Sequence, residues 1–192
     1  ASQFDEEVFH LDLDLLIKRS SDKSNLELRT KSLELESSIS SPTLTENESI
    51  YAALKLGLFD YVTKNNFKKV LIGISGGIDS ALTAAICVDA LGSDNVIGVA
   101  MPSKYNSSES LDDAIALAKN LNMELKVIEI ESLVETFRST LSSAVVDKLS
   151  QVTDENIQSR VRGNILMGIS NQTGAMVVST GNKSEMAVGY ST

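Results

Sequence analysis

Four short runs that are rich in apolar residues, separated by segments with helical periodicity, constrain the fold of this chain more than any other feature. The runs cover residues 70–74, 96–101, 125–130 and 175–179, and helical patterns cover 46–65, 79–91, 108–121, 131–148 and 154–171. Strands that alternate with helices are best satisfied by a parallel sheet, because right-handed crossovers place the connecting helices on its faces. The sequence therefore predicts an α/β fold with a doubly wound parallel sheet and helices on both faces.

The first 44 residues have a different pattern. Residues 1–17 contain an alternation of apolar and acidic side chains that is typical of a half-exposed strand, and 18–44 are rich in serine and charge, as in a linker. A new helix is expected after Thr45, because Glu48 follows it at the spacing of a capping box. The domain boundary is therefore placed at residues 44 and 45, with one domain over 45–192.

Composition excludes several classes of function. The formal charge of −9 argues against a nucleic-acid surface, and the sequence has one cysteine and one histidine. A cysteine-rich zinc site, an internal disulfide and a Ser-His-Asp arrangement are therefore not expected, and Cys87 is interpreted as a small buried apolar residue. No run approaches the roughly 20 apolar residues of a membrane span, and the acidic start does not fit a signal peptide, so the cytoplasm is predicted.

The glycine-rich segment GISGGIDS, residues 73–80, lies between an apolar run and a helix. Successive backbone N–H groups and the amino end of a helix can converge there on phosphate oxygens. Asp79 is unusual in an anion site unless a divalent cation accompanies the phosphates, so the segment predicts binding of a magnesium nucleotide. It lacks the spacing and lysine of a Walker loop and the third glycine of a dinucleotide fingerprint. In parallel sheets the ligand lies where strands end, which directs attention to 75–80, 101–107 and 180–190.

This loop resembles the SGG-x-DS pyrophosphate loop of the ATP pyrophosphatase families. The stretch ENIQSRVRGNILMGISNQTGAMVVSTGNKSEMAVGY, residues 155–190, resembles NAD synthetases of the fused, glutamine-dependent type, and MPSKYNSSES at 101–110 is similar to the same family. The resemblance covers 46–192 and implies the adenine nucleotide alpha hydrolase-like fold. Residues 1–17 are similar to the last strand of the nitrilase-like glutaminase domain that precedes the synthetase in fused enzymes. The chain is thus expected to be a fragment, incomplete at its carboxyl end.

The resemblance also implies roles for individual residues. Asp79 and Ser75 would be catalytic, and Asp79 and Glu185, on two different loops, would hold Mg²⁺. Deamido-NAD would be bound by Asn156, Arg160 and Glu185. ATP would be bound by Gly73, Ile74, Ser75, Gly76, Gly77, Ile78, Asp79, Ser80 and Thr180.

Other readings of some residues remain open. Glu185 could be an exposed loop acid, and Lys104 and Lys183 could be either cations beside phosphate or ordinary solvated lysines. Arg162 is expected on another part of the helix from Arg160, where a solvated surface charge is an alternative.

The implied reaction is the ATP-dependent amidation of deamido-NAD to NAD. An acyl adenylate forms first with release of pyrophosphate, and ammonia from a separate glutaminase domain then displaces AMP. The resemblance further implies a homo-oligomer built on a dimer, with no nucleic-acid or membrane partner. Two alternatives stay open: another ATP pyrophosphatase, such as a GMP synthetase or a tRNA-modifying ligase, and a non-catalytic nucleotide-binding module of similar fold.

Overall fold

The computed structural model describes residues 44–104, 108–145 and 149–189. The predicted strand and His10 within 1–17, and the predicted linker up to residue 43, lie outside the described residues. The chain divides into two compact units between Ala53 and Leu54, and the sheet belongs entirely to the second. Within the first unit, the predicted capping box is present: the Thr45 backbone N–H donates to the Glu48 carboxylate at 2.8 Å, and the Glu48 N–H donates to the Thr45 hydroxyl at 3.4 Å.

Strands and helices alternate along the described chain. The strands are β1 (Val70–Ile74), β2 (Val96–Ala100), β3 (Glu124–Val127) and β4 (Met176–Val178). The helices are α1 (Glu46–Lys64), α2 (Ile78–Leu91), α3 (Ser108–Asn120), α4 (Glu131–Ala144), α5 (Gln151–Thr173) and α6 (Lys183–Ala187), with a 3₁₀ turn at Ser93–Asn95 before β2. None of the helices in the described ranges is both long enough and apolar enough to span a bilayer.

All four strands are parallel and are arranged in the order β3-β2-β1-β4. β1 lies in the interior of the sheet, with Val70 opposite Val96 of β2 on one side and Met176 of β4 on the other. The chain builds outward from β1 through β2 to β3 and then returns to place β4 on the far side of β1. The carboxyl ends of β1 and β4 therefore flank the point where strand order reverses, which is the position where such sheets bind ligands.

Two apolar clusters cover the two faces of the sheet. Because side chains alternate along a strand, Val70, Ile72 and Ile74 point to one face and Leu71 to the other. The first face packs against the carboxyl-terminal part of α1 and against α2 and α3, and the second packs against α4 and α5. Cys87 of α2 is fully buried in the first cluster, and burial raises the pKa of its thiol to about 11, as expected for a small apolar residue. The predicted doubly wound α/β fold is confirmed.

The structure differs from the sequence prediction mainly at element ends. The third strand was predicted over 125–130, but regular pairing stops at Val127. Beyond it, the Ile128 and Ile130 amides still donate to the Ala100 and Pro102 carbonyls at 2.9 and 3.2 Å. α5 begins earlier than residue 154, because the Ser150 hydroxyl caps it by accepting from the Thr153 amide. α6 was not predicted, since five residues carry too little periodicity to recognise.

Replacing Ile72 with alanine should destabilise the protein by about 2–5 kcal/mol, because this fully buried β1 side chain would leave a cavity between the sheet and its covering helices. The matched control is Ile115→Ala in α3, where the side chain is 47% exposed and the expected loss is below about 1 kcal/mol. Urea unfolding of both variants measures the difference, and equal losses would contradict the assigned core.

Candidate functional site

A cavity of about 510 Å³ opens at the carboxyl edge of the sheet. Its walls come from the ends of β1, β2 and β4, from the first turns of α3 and from one face of α5. The lining residues are Gly73, Ile74, Ser75, Ala100, Met101, Pro102, Ser110, Leu111, Ser159, Arg162, Gly163, Leu166, Met167, Val177, Val178, Ser179 and Thr180. The cavity is mostly apolar, with hydroxyls at the mouth of β1 and β4, a mixture that is typical of small-molecule sites.

The loop between β1 and α2 is held by two serine hydroxyls. Ser80 is buried, and its hydroxyl donates to the Gly77 carbonyl at 2.9 Å and accepts from the Ser75 amide at 3.2 Å. The Ser75 hydroxyl lies 3.1 Å from that of Ser80 and accepts from the Gly77 amide at 3.2 Å. These bonds direct the Ser80 hydroxyl into the loop, where it fixes the backbone shape. The ATP contact expected of Ser80 stays a prediction.

Gly76 lets the loop lie against the start of α3. Its φ is +82°, in the left-handed region, and a Cβ added there would lie 2.4 Å from the Ser110 carbonyl oxygen. At the next residue, Gly77, α2 begins without a side-chain cap. The first amides of a helix have no intrahelical acceptor, so the amino end of α2 presents donors and the positive end of a helix dipole beside the cavity.

Asp79 and Glu185 are brought together by Asn182, although they are distant in sequence. The Asn182 side-chain amide donates to the Asp79 carboxylate at 3.2 Å, which joins the first turn of α2 to the segment after β4. Asn182 also caps α6 in a capping box: its Oδ1 accepts from the Glu185 amide at 3.0 Å, and its backbone N–H donates to the Glu185 carboxylate at 3.2 Å. Glu185, predicted on a loop, therefore lies in the first turn of a helix. Within the described ranges there is no cluster of three or more histidine, cysteine or acidic side chains that could hold a metal.

The α5 face that lines the cavity is not the one that sequence analysis selected. Asn156 and Arg160 do not line the cavity, and Arg160 is exposed. Arg162 does line it: the side chain is half-buried, and its Nε donates to the Met101 carbonyl at 3.3 Å. The alternative of a solvated surface charge for Arg162 is therefore wrong. Sequence spacing indicates which residues of α5 belong to the same face as Arg162. The cavity-lining residues lie three or four positions apart and so share one face of the helix: Ser159, Arg162, Gly163 and Leu166.

A charged network that sequence analysis missed lies behind the cavity wall. Arg138 of α4 donates through Nε and Nη2 to both oxygens of Asp154, and through Nη1 to Glu131 at 3.0 Å. Glu131 also pairs with the Lys104 ammonium at 3.0 Å, and the Lys104 side chain is 52% exposed. The guanidinium holds the pKa of Asp154 below its ordinary value, and the hydrogen bond from Lys104 has the same effect on the pKa of Glu131. The residue types offer little indication of these ion pairs, because charged residues this far apart in sequence are ordinarily solvated separately.

Alanine at position 76 should destabilise the chain by more than about 2 kcal/mol, since it adds a steric overlap with Ser110 to the strain of a left-handed backbone. Gly174→Ala is the matched control, because Gly174 has φ +72° but no neighbour within 4 Å of an added Cβ, and should cost only about 1 kcal/mol. Chemical unfolding measures both, and a Gly76→Ala loss no larger than the control would show that the close contact is absent.

The ion pairs of Glu131 and Asp154 predict that the free energy of unfolding falls at acid pH. A carboxyl group whose pKa is lowered by folding stabilises the native state above its unfolded pKa, near 4, and that contribution disappears as the pH falls through the lower native value. The free energy of unfolding should therefore decline between about pH 4 and pH 2. In Asp154→Asn the slope over this range should be shallower, because one linked carboxyl group is gone. Urea titrations at several pH values test this, and identical slopes would contradict the assigned ion pair.

Comparison with known proteins places the chain in a family. The family model for NAD synthase matches residues 50–192. The glutamine-dependent NAD(+) synthetase of Thermotoga maritima is 48% identical over 165 residues, which make up 86% of this chain and 28% of that protein. This chain therefore spans less than a third of the length of that relative.

Solved structures agree with the sequence match. The glutamine-dependent NAD+ synthetase from Acinetobacter baumannii, in complex with ADP, aligns with a TM-score of 0.77 and 45% identity over 80% of this chain and 29% of that chain. The NH3-dependent NAD synthetase from Campylobacter jejuni aligns with a TM-score of 0.70 and 32% identity over 77% of this chain and 62% of that chain. With the family match extending through the loop, the cavity and the Asn182 bridge, this chain belongs to the NAD synthase family.

Proposed function

We propose that this chain carries the ATP-binding part of an enzyme that amidates deamido-NAD to NAD, a carbon-nitrogen ligase reaction. The observation that supports it most is the position of the serine-held glycine loop, which presents uncapped helix amides beside a cavity at the strand-order switch. Membership of the NAD synthase family supports the same conclusion, and the Acinetobacter baumannii relative is an ADP complex.

ATP would lie with its phosphates on the loop and its nucleoside in the cavity. Gly73, Ile74, Ser75 and Thr180 line the cavity, whereas Gly76, Gly77 and the first α2 residues, Ile78 to Ser80, form the adjoining amide-rich turn. The apolar wall of α5 suits an adenine ring, and the loop suits a pyrophosphate. Ser75 belongs to both regions, so it would be placed where the α-phosphate meets the leaving pyrophosphate.

The acidic pair fits a magnesium ion. Asp79 and Glu185 both bond to Asn182, so their carboxylates face the same region, and Mg²⁺ in proteins is commonly held by one or two carboxylates together with substrate phosphates. Bound there, the ion would neutralise charge on the phosphates. Asn182 would keep the two acids oriented by donating a hydrogen bond to each.

Chemistry in this site would depend on positioning and electrostatics. The nicotinate carboxylate of deamido-NAD would attack the α-phosphate of ATP, and the α2 amides would offset the charge on the departing pyrophosphate. Ammonia would then attack the acyl adenylate and release AMP. Asn156 and Arg160, outside the cavity on α5, and Glu185 on α6 are proposed to contact deamido-NAD. A guanidinium can bind the phosphates of such a dinucleotide.

The relatives support a source of ammonia for this reaction. The glutamine-dependent relatives are more than three times as long as the part matched here, which supports a glutaminase domain as the source of ammonia, with residues 1–17 as its end and 18–44 as a linker. The Campylobacter jejuni relative is described as NH3-dependent, which supports ammonia as the immediate nucleophile. We further propose a homo-oligomer built on a dimer and a cytoplasmic location. A GMP synthetase, a tRNA-modifying ligase or a non-catalytic nucleotide-binding module is not favoured by the family match.

Asp79→Asn should lower ATP-pyrophosphate exchange by at least about 10- to 100-fold while leaving the fold intact, because an amide is a weaker ligand for a cation than a carboxylate and Asp79 is exposed. The exchange is measured with labelled pyrophosphate in the presence of deamido-NAD and Mg²⁺, with circular dichroism as the check on folding.

Asp94→Asn provides the matched control, because this exposed acid precedes β2 at the opposite edge of the sheet and should leave exchange unchanged. Undiminished exchange in Asp79→Asn would remove Asp79 from the reaction. Stabilisation of the chain by flavin or AMP but not by ATP, in a thermal-shift assay, would favour the binding-module alternative.

A further inference from the structure

The segment that follows β2 forms one wall of the cavity and is held in two ways. Up to Pro102 its backbone is tied to the chain after β3, because the Ile130 amide donates to the Pro102 carbonyl at 3.2 Å. Beyond Pro102, the segment is held by hydrogen bonds to side chains of α4 and α5. The Ser103 hydroxyl donates to Gln158 Oε1 at 3.1 Å, and the Lys104 amide donates to Glu131 Oε2 at 3.2 Å.

Both of these side-chain acceptors, Gln158 and Glu131, are connected to Arg138 by further hydrogen bonds. On one side, Gln158 donates through Nε2 to the Asp154 carboxylate at 3.2 Å, and Arg138 donates to the same carboxylate through two nitrogens. On the other side, Glu131 accepts from Lys104 and from Arg138 Nη1. One guanidinium therefore bridges two carboxylates that hold neighbouring residues of the same segment. The rigid, forked geometry of arginine suits this bridge, whereas a lysine ammonium is a single point charge.

Loss of this bridge would change the position of residues that line the cavity. Arg138 is only 13% exposed, and the acids it joins are 23% and 32% exposed. Removing it would leave the partly buried Asp154 carboxylate without this cation, and Lys104 as the cation paired with Glu131. If the Asp154 and Glu131 carboxylates moved apart, the bonds that hold Ser103 and Lys104 would be weakened, and so would the contact of this segment with the first turns of α5. Pro102 and Ser159, which adjoin Ser103 and Gln158, both line the cavity.

We propose that Arg138, which does not line the cavity, is a positioning residue for nucleotide binding: it joins Glu131 to Asp154 and so fixes residues 102–104 against α5, setting the distance between two cavity walls. This inference rests on the proposed function, because it assumes that ATP occupies the cavity. It adds a residue of α4, an element that does not line the cavity, to the binding machinery.

The test compares ATP binding and backbone exchange in the full chain. Arg138→Met should weaken ATP binding, measured calorimetrically with Mg²⁺ present, by about tenfold, because displacement of a site wall by an ångström is enough for losses of that order or more. Hydrogen-deuterium exchange should accelerate in peptides covering 101–104 but not in those covering β1. Arg138→Lys, which can satisfy one carboxylate at a time, should recover part of the affinity.

Glu135→Gln is the matched control. Glu135 also accepts from Arg138, at 3.2 Å, but it is 62% exposed and does not hold the 102–104 segment, so its loss should change neither affinity nor exchange. Should Arg138→Met fail to fold, Glu131→Gln and Asp154→Asn each remove one side of the bridge and should each weaken ATP binding by a smaller factor.

The outcomes separate the two proposals. Normal ATP affinity in the folded Arg138 variants, or faster exchange throughout the sheet without a local effect at 101–104, would overturn the positioning role and leave the proposed function standing. Failure of the unsubstituted chain to bind ATP would overturn the proposed function and this inference with it.

Discussion

The hydrogen bonding of β1 on both of its edges is the constraint on which the rest of the structure depends. Val70, Leu71 and Ile72 pair with β2 on one side and with β4 on the other, and all three side chains are buried. A one-residue shift in register would move each of these side chains to the opposite face and disrupt the packing against the helices on both sides. The loop that follows it, from Ser75 to Ser80, is therefore held at a fixed point above the switch in strand order.

Around that fixed loop, the site is assembled by contacts between segments far apart in sequence. Asn182 reaches Asp79 from the loop after β4, Ser110 of α3 lies against Gly76, and Arg162 of α5 holds the carbonyl of Met101 at the end of β2. Each contact joins the end of one strand to another element. The cavity is thus formed by the relative positions of the strand ends. Its walls also depend on interactions behind them, among them the bonds from Arg138 to Asp154, Glu131 and Glu135.

Much of this arrangement could be predicted from sequence, for identifiable reasons. The apolar run before Ser75 and the paired glycines marked the loop, since few other local structures need that composition between a strand and a helix. The helix after Thr45 was predicted by a capping box that the structure contains. Asp79 and Glu185 were paired by resemblance, and the structure joins both to Asn182. The role of Arg162 stayed open at the level of sequence, because helical spacing alone does not say which face of a long helix meets the sheet.

Sequence by itself determined the class of the fold and the position of the loop, because apolar periodicity and glycine placement act over a few neighbouring residues. Its resemblance to known synthetases indicated the family. Only the tertiary structure decided that the Ser80 hydroxyl serves the loop, that Arg162 faces the cavity and Arg160 does not, and that Arg138 joins Glu131 to Asp154. The physical reason is that hydrogen bonds and ion pairs between polar side chains depend on distances of about 3 Å between groups that the sequence places far apart.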